Sequence, residues 1–283
     1  VGARHLEATV TRSSRGDHPD LPRRLGLQGS DAWLDDALTG AVVTASLAPP
    51  PPPSPTVTRF TPTERVYHWV QAVPYLVCLL TGGVALWLSD GQHTDLREDV
   101  SVIHRAAGAA LLVGIAAVVA LGRRRELFEN ARIAFTWGRA DLRWFVTYPL
   151  EELGLDVHVP PVGKFNPGQK LNLLGQLLLI PVFGVTGLVM WFTSGALLAW
   201  FAHVGAFCVA APLVTGHLYL ALVHRSTRPG LPGAFGGEVP REWAATHYPL
   251  WVAEHDARAR RAAVERRVSD ALRTRLDEEW PAP

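Results

Sequence analysis

The stretch that decides the fold is Leu171 to His224, LNLLGQLLLIPVFGVTGLVMWFTSGALLAWFAHVGAFCVAAPLVTGHLYLALVH, 54 consecutive residues without one Asp, Glu, Lys or Arg. A soluble domain shows one face of almost every segment to water, and a run of this length leaves no such face. One helix of that length, at about 1.5 Å per residue, would far exceed a bilayer core of about 30 Å. Two membrane spans joined by a tight turn at Thr193-Ser194-Gly195 fit it, over 171–192 and 197–223, with Pro181 and Pro212 as kinks.

Working outward, two more apolar runs precede it. The first is predicted over 67–88. Thr61-Pro62-Thr63-Glu64 ahead of it has the form of a helix start: a capping threonine, proline at the first helical position, and Glu three residues after the cap. Pro74 is expected to bend that span, which a membrane helix tolerates when neighbours satisfy the freed carbonyl. The second run, between Arg105 and Arg123, is short, and is predicted as a span over 102–122 once an interfacial turn is added. Residues 123–170 form a polar section rich in Arg and aromatics, with room for one or two short interfacial helices. The expectation is an all-α protein, a four-helix integral membrane bundle occupying residues 59–225.

The flanks differ in character. Residues 1–58 are polar and read as a disordered, flexible extension ending in a proline cluster, Pro49 to Pro53 and Pro55, an extended polyproline segment; a short helix is expected over 33–38. Residues 1–30 carry His, Arg and Asp with no apolar core, so no secretory signal is expected there. After a segment over 226–255, residues 256–283 form a charged tail expected to be helical. Val264, Val268, Leu272 and Leu276 give it a narrow stripe at i+4, suited to docking on the cytoplasmic face or on a partner subunit. Cys78 and Cys208 lie in apolar runs and read as buried filler, with no disulfide framework.

With 48% hydrophobic and 19% charged residues and a formal charge of +1, composition carries no nucleic-acid signal. The distribution of the charges gives orientation instead. Arg59 and Arg65 precede span one, Arg123, Arg124 and Arg125 follow span two, Lys164 and Lys170 precede span three, and Arg225 and Arg228 follow span four. The opposite connections hold Arg97 as their one basic residue. The positive-inside rule therefore places both termini and the 123–170 section in the cytoplasm of a bacterial inner-membrane protein.

Four of the eleven histidines fall in or at the ends of the spans. His68 is at the cytoplasmic start of span one and His104 at the outer start of span two. His203 and His217 share span four, about 21 Å apart along the axis and within about 40° of one face. By depth His68 pairs with His217, and His104 with His203. Two levels with two imidazoles each are what two bis-histidine b haems stacked across a membrane require, and a six-coordinate haem suits electron transfer because no position stays open for substrate. Gly82, Gly83, Gly108, Gly187, Gly205 and Gly216 would let a porphyrin approach the backbone, although glycines also serve ordinary helix packing. A single membrane histidine serves as readily as an interhelical hydrogen-bonder; four in matched pairs fit that explanation poorly. His224 is an alternative to His217 two turns on. His5, His18, His93, His158, His247 and His255 are expected at solvent. Arg65 and Arg105, flanking two of the four, suit haem propionates or lipid phosphates equally.

Several motifs in order then resemble a known family. They are Arg59-Phe60 with Glu64-Arg65-Val66-Tyr67-His68-Trp69, Ile103-His104-Arg105-Ala106-Ala107-Gly108, and Gly163-Lys164-Phe165-Asn166-Pro167-Gly168-Gln169-Lys170. Thr186-Gly187-Leu188-Val189-Met190-Trp191, Gly216-His217-Leu218-Tyr219-Leu220-Ala221 and Gly236-Gly237-Glu238-Val239-Pro240-Arg241-Glu242-Trp243 follow. Together, over residues 59–254, they resemble the cytochrome b (gamma) subunit of respiratory formate dehydrogenase. The resemblance implies a di-haem subunit that anchors an iron–sulfur (beta) subunit and a molybdenum or tungsten catalytic (alpha) subunit, and that does no bond-breaking on formate itself. It implies electron flow from an outer haem at His104 and His203 to an inner haem at His68 and His217, then to a quinone beside His217, with Asn166, Gly168 and Gln169 contributing. A polar turn ahead of a helix offers amides and free N–H donors to a quinone carbonyl, and it is also an ordinary cap. The same architecture serving a nickel–iron hydrogenase or a thiosulfate reductase is the alternative; a haem-free membrane anchor or assembly factor is a third reading. The extensions at both ends are not part of the family pattern.

Overall fold

The structure is a computed structural model that describes residue 39, residues 54–88 and residues 94–279. Four helices in it are long and apolar enough to cross a membrane: α1 (Pro62–Trp87), α2 (Thr94–Leu121), α5 (Pro167–Phe192) and α6 (Leu197–Leu222). Between them lie two shorter helices, α3 (Arg124–Phe135) and α4 (Arg139–Glu152), which fill the section where sequence had room for them without placing them. At 26 residues, α1, α5 and α6 are each about 39 Å long at about 1.5 Å per residue. Their ends therefore project beyond a hydrocarbon core of about 30 Å, where polar caps can be solvated.

The first span begins as its sequence dictates. The Thr61 hydroxyl accepts from Glu64 N at 3.3 Å, and Glu64 Oε2 accepts from Thr61 N at 2.8 Å, with Pro62 at the first helical position. Asn166 and Gln169 repeat the device at the start of α5: Asn166 Oδ1 accepts from Gln169 N at 2.8 Å, and Gln169 Oε1 from Asn166 N at 3.1 Å. Proline at the first helical position carries no N–H, so three free N–H groups remain at each helix start, and two of them are thereby satisfied. Pro74, Pro181 and Pro212 all lie inside helices, as the runs require. The turn between α5 and α6 contains Gly195 at φ +73°, a left-handed conformation that a side chain would strain.

The second span is longer than predicted. It begins at Thr94, eight residues before the expected 102, because Asp95 and its polar neighbours are helical although hydropathy counts them out. Negative charge in a first turn complements the partial positive charge of the helix N-terminus.

The spans form two hairpins, α1 along α2 and α5 along α6, with α3 and α4 laid against α5. Each span contributes one residue to the buried centre: Tyr75, Leu111, Ile180 and Ala210. Outward-facing apolar side chains such as Val113, Leu178, Val185 and Val209 are exposed, with no water-facing polar stripe to replace them. An all-α membrane helical bundle is the result.

One end of the bundle carries a small cap. Strands β1 (Thr56–Thr58) and β2 (Glu238–Pro240) pair antiparallel, with Val57 opposite Val239 and both almost fully buried. After a 3₁₀ turn at Arg228–Gly230 come the single helical turn α7 (Pro232–Phe235), α8 (Arg241–His247) and α9 (Pro249–Glu279). Val57, Val239, Ala244 and Val252 form the cap's core, with Trp243 and Trp251 packed against it. The predicted polar extension over 1–58 is corrected here: its last three residues are a strand of the folded cap, where Thr-Val-Thr turns only Val57 inward. The expected helix over 33–38 and the proline cluster over 49–53 lie outside the described residues. The described residues from 54 to 255 make one compact unit; α9 continues past its boundary, so the tail predicted to be helical from 256 onward is helical as far as 279.

Candidate functional site

The fold brings the span histidines together in two pairs. His68, near the start of α1, faces His217, near the end of α6, with ring centroids 6.3 Å apart and planes inclined by 66°. His104 on α2 faces His203, near the start of α6, at 6.0 Å and 67°. A metal–imidazole nitrogen bond of about 2 Å, with about 1.1 Å from nitrogen to ring centre, separates two rings on opposite sides of one metal by roughly 6.2 Å. Both pairs have that spacing.

No group of three or more His, Cys, Asp or Glu able to hold a metal occurs among the described residues. A closed tetrahedral site needs four such donors. Two opposed imidazoles would hold the iron of a macrocycle, which brings its own four nitrogens. The residues present therefore fit haem and do not fit a bare ion.

Room for a flat ring system is uneven around the rings. A Cβ on Gly82 would come to 3.2 Å from His104 Cε1, and one on Gly187 to 3.6 Å from His203 Cε1. A Cβ on Gly205 or Gly216 would meet nothing within 4 Å, one on Gly83 would meet the Phe207 ring, and one on Gly108 would just touch Cys78. Phe183 packs edge-on against His203 at 5.0 Å.

Two threonines that sequence reasoning passed over touch the second pair. Thr81 Oγ1 lies 3.0 Å from His104 Nδ1, and Thr186 Oγ1 lies 2.8 Å from His203 Nδ1. Each hydroxyl also donates to the carbonyl one turn earlier, Val77 O and Val182 O, both at 2.6 Å. The signal was a Thr-Gly doublet on both first helices of the hairpins, and a lone hydroxyl in a span looks like helix back-bonding.

The other histidines divide differently from expectation. His224 does not substitute for His217: its Nε2 is 3.7 Å from Glu152 on α4. His158 is exposed, as expected. His247 and His255 are half-buried instead of solvent-facing, because they lie against Trp243 and Trp251 in the cap. His5, His18 and His93 lie outside the described residues.

At the end of the bundle near His68 and His217, polar residues are tightly engaged. The Arg59 guanidinium, 4% exposed, lies 3.5 Å over the Tyr248 ring, with Phe60, Trp243 and Trp251 around it. Its Nη2 donates to Lys164 O at 2.9 Å and to Gln169 Oε1 at 3.3 Å. Burial pulls this guanidinium below its ordinary value, against the opposing pull of Tyr248 and Glu64. Gln169 Nε2 in turn donates to the Tyr248 hydroxyl at 3.0 Å. Glu64 accepts from both Lys164 Nζ and Asn130. Of the three residues expected at a quinone, Gln169 is thus shared between Arg59, Tyr248 and the cap. Gly168 lies beside the Trp144 ring, and Asn166 has its oxygen in the cap. Arg65 donates to Phe235 O, and Arg105 Nε to Ser101 O at 3.2 Å.

Comparison with known proteins follows the same residues. A family model described as prokaryotic cytochrome b561 matches residues 59–237, a range containing all four spans and all four paired histidines. The chain is 24% identical over 204 residues to the cytochrome b556(Fdn) subunit of the nitrate-inducible formate dehydrogenase of Escherichia coli (strain K12), covering 68% of this chain and 88% of that subunit. The corresponding Shigella flexneri subunit gives the same figures. It is 21% identical over 212 residues to the formate dehydrogenase cytochrome b556(fdo) subunit of E. coli (strain K12), covering 70% of this chain and 93% of the relative.

Proposed function

Since this chain belongs to the prokaryotic cytochrome b561 family of membrane haem proteins, we propose that it is the di-haem membrane anchor of a formate dehydrogenase, passing electrons from an iron–sulfur subunit to a membrane quinone. The observation that carries the reading is the pair of histidine pairs: two imidazoles at 6.3 Å and two at 6.0 Å, on helices long enough to cross a bilayer. Haem iron held between two imidazoles would supply a one-electron carrier with no position open to substrate.

The chain's own residues do the rest. His68 and His217 would hold the inner haem, His104 and His203 the outer one, and the apolar spans keep water from both. The basic residues flanking the spans support a cytoplasmic location for the end that carries His68 and His217. There Asn166, Gly168 and Gln169 stand at the start of α5. The Asn166 amide would be the donor to a quinone carbonyl, while Gln169, tied to Arg59 and Tyr248 and bonded to Asn166 in the cap, would hold it in place. Quinone reduction at this end would take its protons from the cytoplasm. The names of the relatives favour formate over hydrogen or thiosulfate as the partner enzyme's substrate.

The test is a dithionite-reduced minus oxidised spectrum of the protein purified with its partners, with haem measured per polypeptide. Two b haems per chain are expected, together with a molybdenum- or tungsten-containing subunit and an iron–sulfur subunit. A colourless preparation overturns the reading, and a nickel–iron subunit in place of the expected one overturns the formate assignment.

A further inference from the structure

The two helical hairpins repeat one arrangement. Thr61 and Asn166 cap α1 and α5 through the same reciprocal hydrogen bonds, each followed by proline. Twenty residues after each cap comes Thr-Gly: Thr81-Gly82 after Thr61, and Thr186-Gly187 after Asn166. In both hairpins the threonine hydroxyl meets Nδ1 of a histidine on the following helix, and the adjacent glycine leaves room for that ring. The inner pair breaks the repeat: among the described residues no hydrogen bond reaches the ring of His68 or His217.

We propose that Thr81 and Thr186 are paired positioning residues of the outer haem, accepting the Nδ1–H of His104 and His203 and leaving Nε2 of each ring as the ligand. The argument is a proton count. A threonine hydroxyl has one hydrogen and two lone pairs. Each of these hydroxyls places its hydrogen on a carbonyl at 2.6 Å, Val77 O or Val182 O. What remains to face the imidazole is a lone pair, so Nδ1 must bring the hydrogen. A neutral imidazole with hydrogen on Nδ1 has its lone pair on Nε2. The tautomer and the ring orientation are thus fixed together.

Such a partner also makes the ring a stronger donor, as outer-shell acceptors do for metal-bound histidine generally. A stronger donor favours ferric over ferrous iron. The inference rests on the di-haem reading above, and its consequence is specific to one haem of the two.

The experiment is a potentiometric titration of the full complex in membranes, followed in the α-bands and by electron paramagnetic resonance of the ferric haems, for T81V, T186V, T81S and T186S. Valine keeps the shape and removes the hydroxyl; serine keeps the hydroxyl. Each valine variant is expected to raise the outer haem's midpoint by up to a tenfold change in its ferric–ferrous constant, which is about 59 mV for one electron. Serine should restore it, with the inner haem unmoved throughout. If a valine variant loses the outer haem, retention in the serine variant still supports the hydroxyl's role, and loss in both overturns it. Valine variants with both midpoints unchanged overturn the proposal while leaving the di-haem reading intact. Absence of haem from the unaltered complex removes both.

Discussion

Lys164 donates to Glu64 across 100 residues of sequence, tying the segment before α5 to the first turn of α1. Glu64 is 6% exposed and is at once an ion-pair partner, half of a capping box and an acceptor for Asn130. Removing one member of a buried pair leaves an uncompensated charge, which costs more than the net contribution of the pair itself.

Lys164→Met should therefore destabilise the folded protein by about 3–5 kcal/mol, against about 1 kcal/mol for the loss of a cap in Thr61→Ala. Thermal unfolding in detergent, read by intrinsic Trp fluorescence, gives the order. The double variant E64Q/K164M should recover part of the loss, and a double variant no better than K164M would mean the charge is not what matters.

The two histidine pairs predict separable losses. His203→Ala should halve the haem content and remove only the outer component, and His68→Ala should halve it and remove only the inner one. Haem extracted per polypeptide, together with the low-temperature α-band, distinguishes these. Loss of both components from either variant would show that the pairs are not independent sites.

Gly82 and Gly187 stand in equivalent places but with different clearances. A methyl group at Gly82 would lie 3.2 Å from His104, closer than ordinary contact, whereas at Gly187 it would lie 3.6 Å from His203. Alanine favours a helix interior over glycine by about 1 kcal/mol. Gly187→Ala is expected to keep the outer haem with equal or higher stability; Gly82→Ala should disturb its electron paramagnetic resonance line. Equal effects of the two variants on the outer haem's signal would contradict the clearances.

Tyr148 on α4 supplies a pH dependence away from the spans. Burial, beside the Trp144 ring stacked on it at 4.5 Å, pushes its hydroxyl up to about 12. The unfolded chain ionises near 10, so the neutral phenol contributes stability that is complete below about pH 10 and is lost as pH rises toward 12. Tyr148→Phe should flatten this alkaline decline in the unfolding midpoint. An unchanged slope between pH 9.5 and 12 would exclude Tyr148 as its source.

Sequence made the spans readable because hydrocarbon imposes a rule on every residue: no charge for about 20 positions. It made the Thr61 start readable because cap, proline and Glu occupy fixed offsets. The histidine pairing followed from helical geometry, since 14 residues on one span bring His203 and His217 to one side at two depths. Elsewhere the pattern was too short or too ambiguous. Thr56–Thr58 offers one inward residue, no basis for period-two alternation, and its partner strand is 180 residues away. The start of α2 carries Asp95, Glu98 and Asp99, which hydropathy excludes from a span although they suit a helix N-terminus. Asn166-Pro167-Gly168-Gln169 alone reads as a cap, and only the family resemblance makes it a quinone site; the structure shows the cap made. The threonines at the outer pair needed three dimensions, because their partners are on other helices.

The ribbon of β1 and β2 has a consequence for biogenesis. Thr56 emerges from the ribosome before the first membrane helix, but Pro240, its partner, is translated only after the fourth. The cap core of Val57 and Val239 cannot close until all four apolar helices have been translated. Closing so long a loop is slow, since its entropy is lost before the contacts reward it. A product truncated before Val239 leaves Val57 without its strand partner.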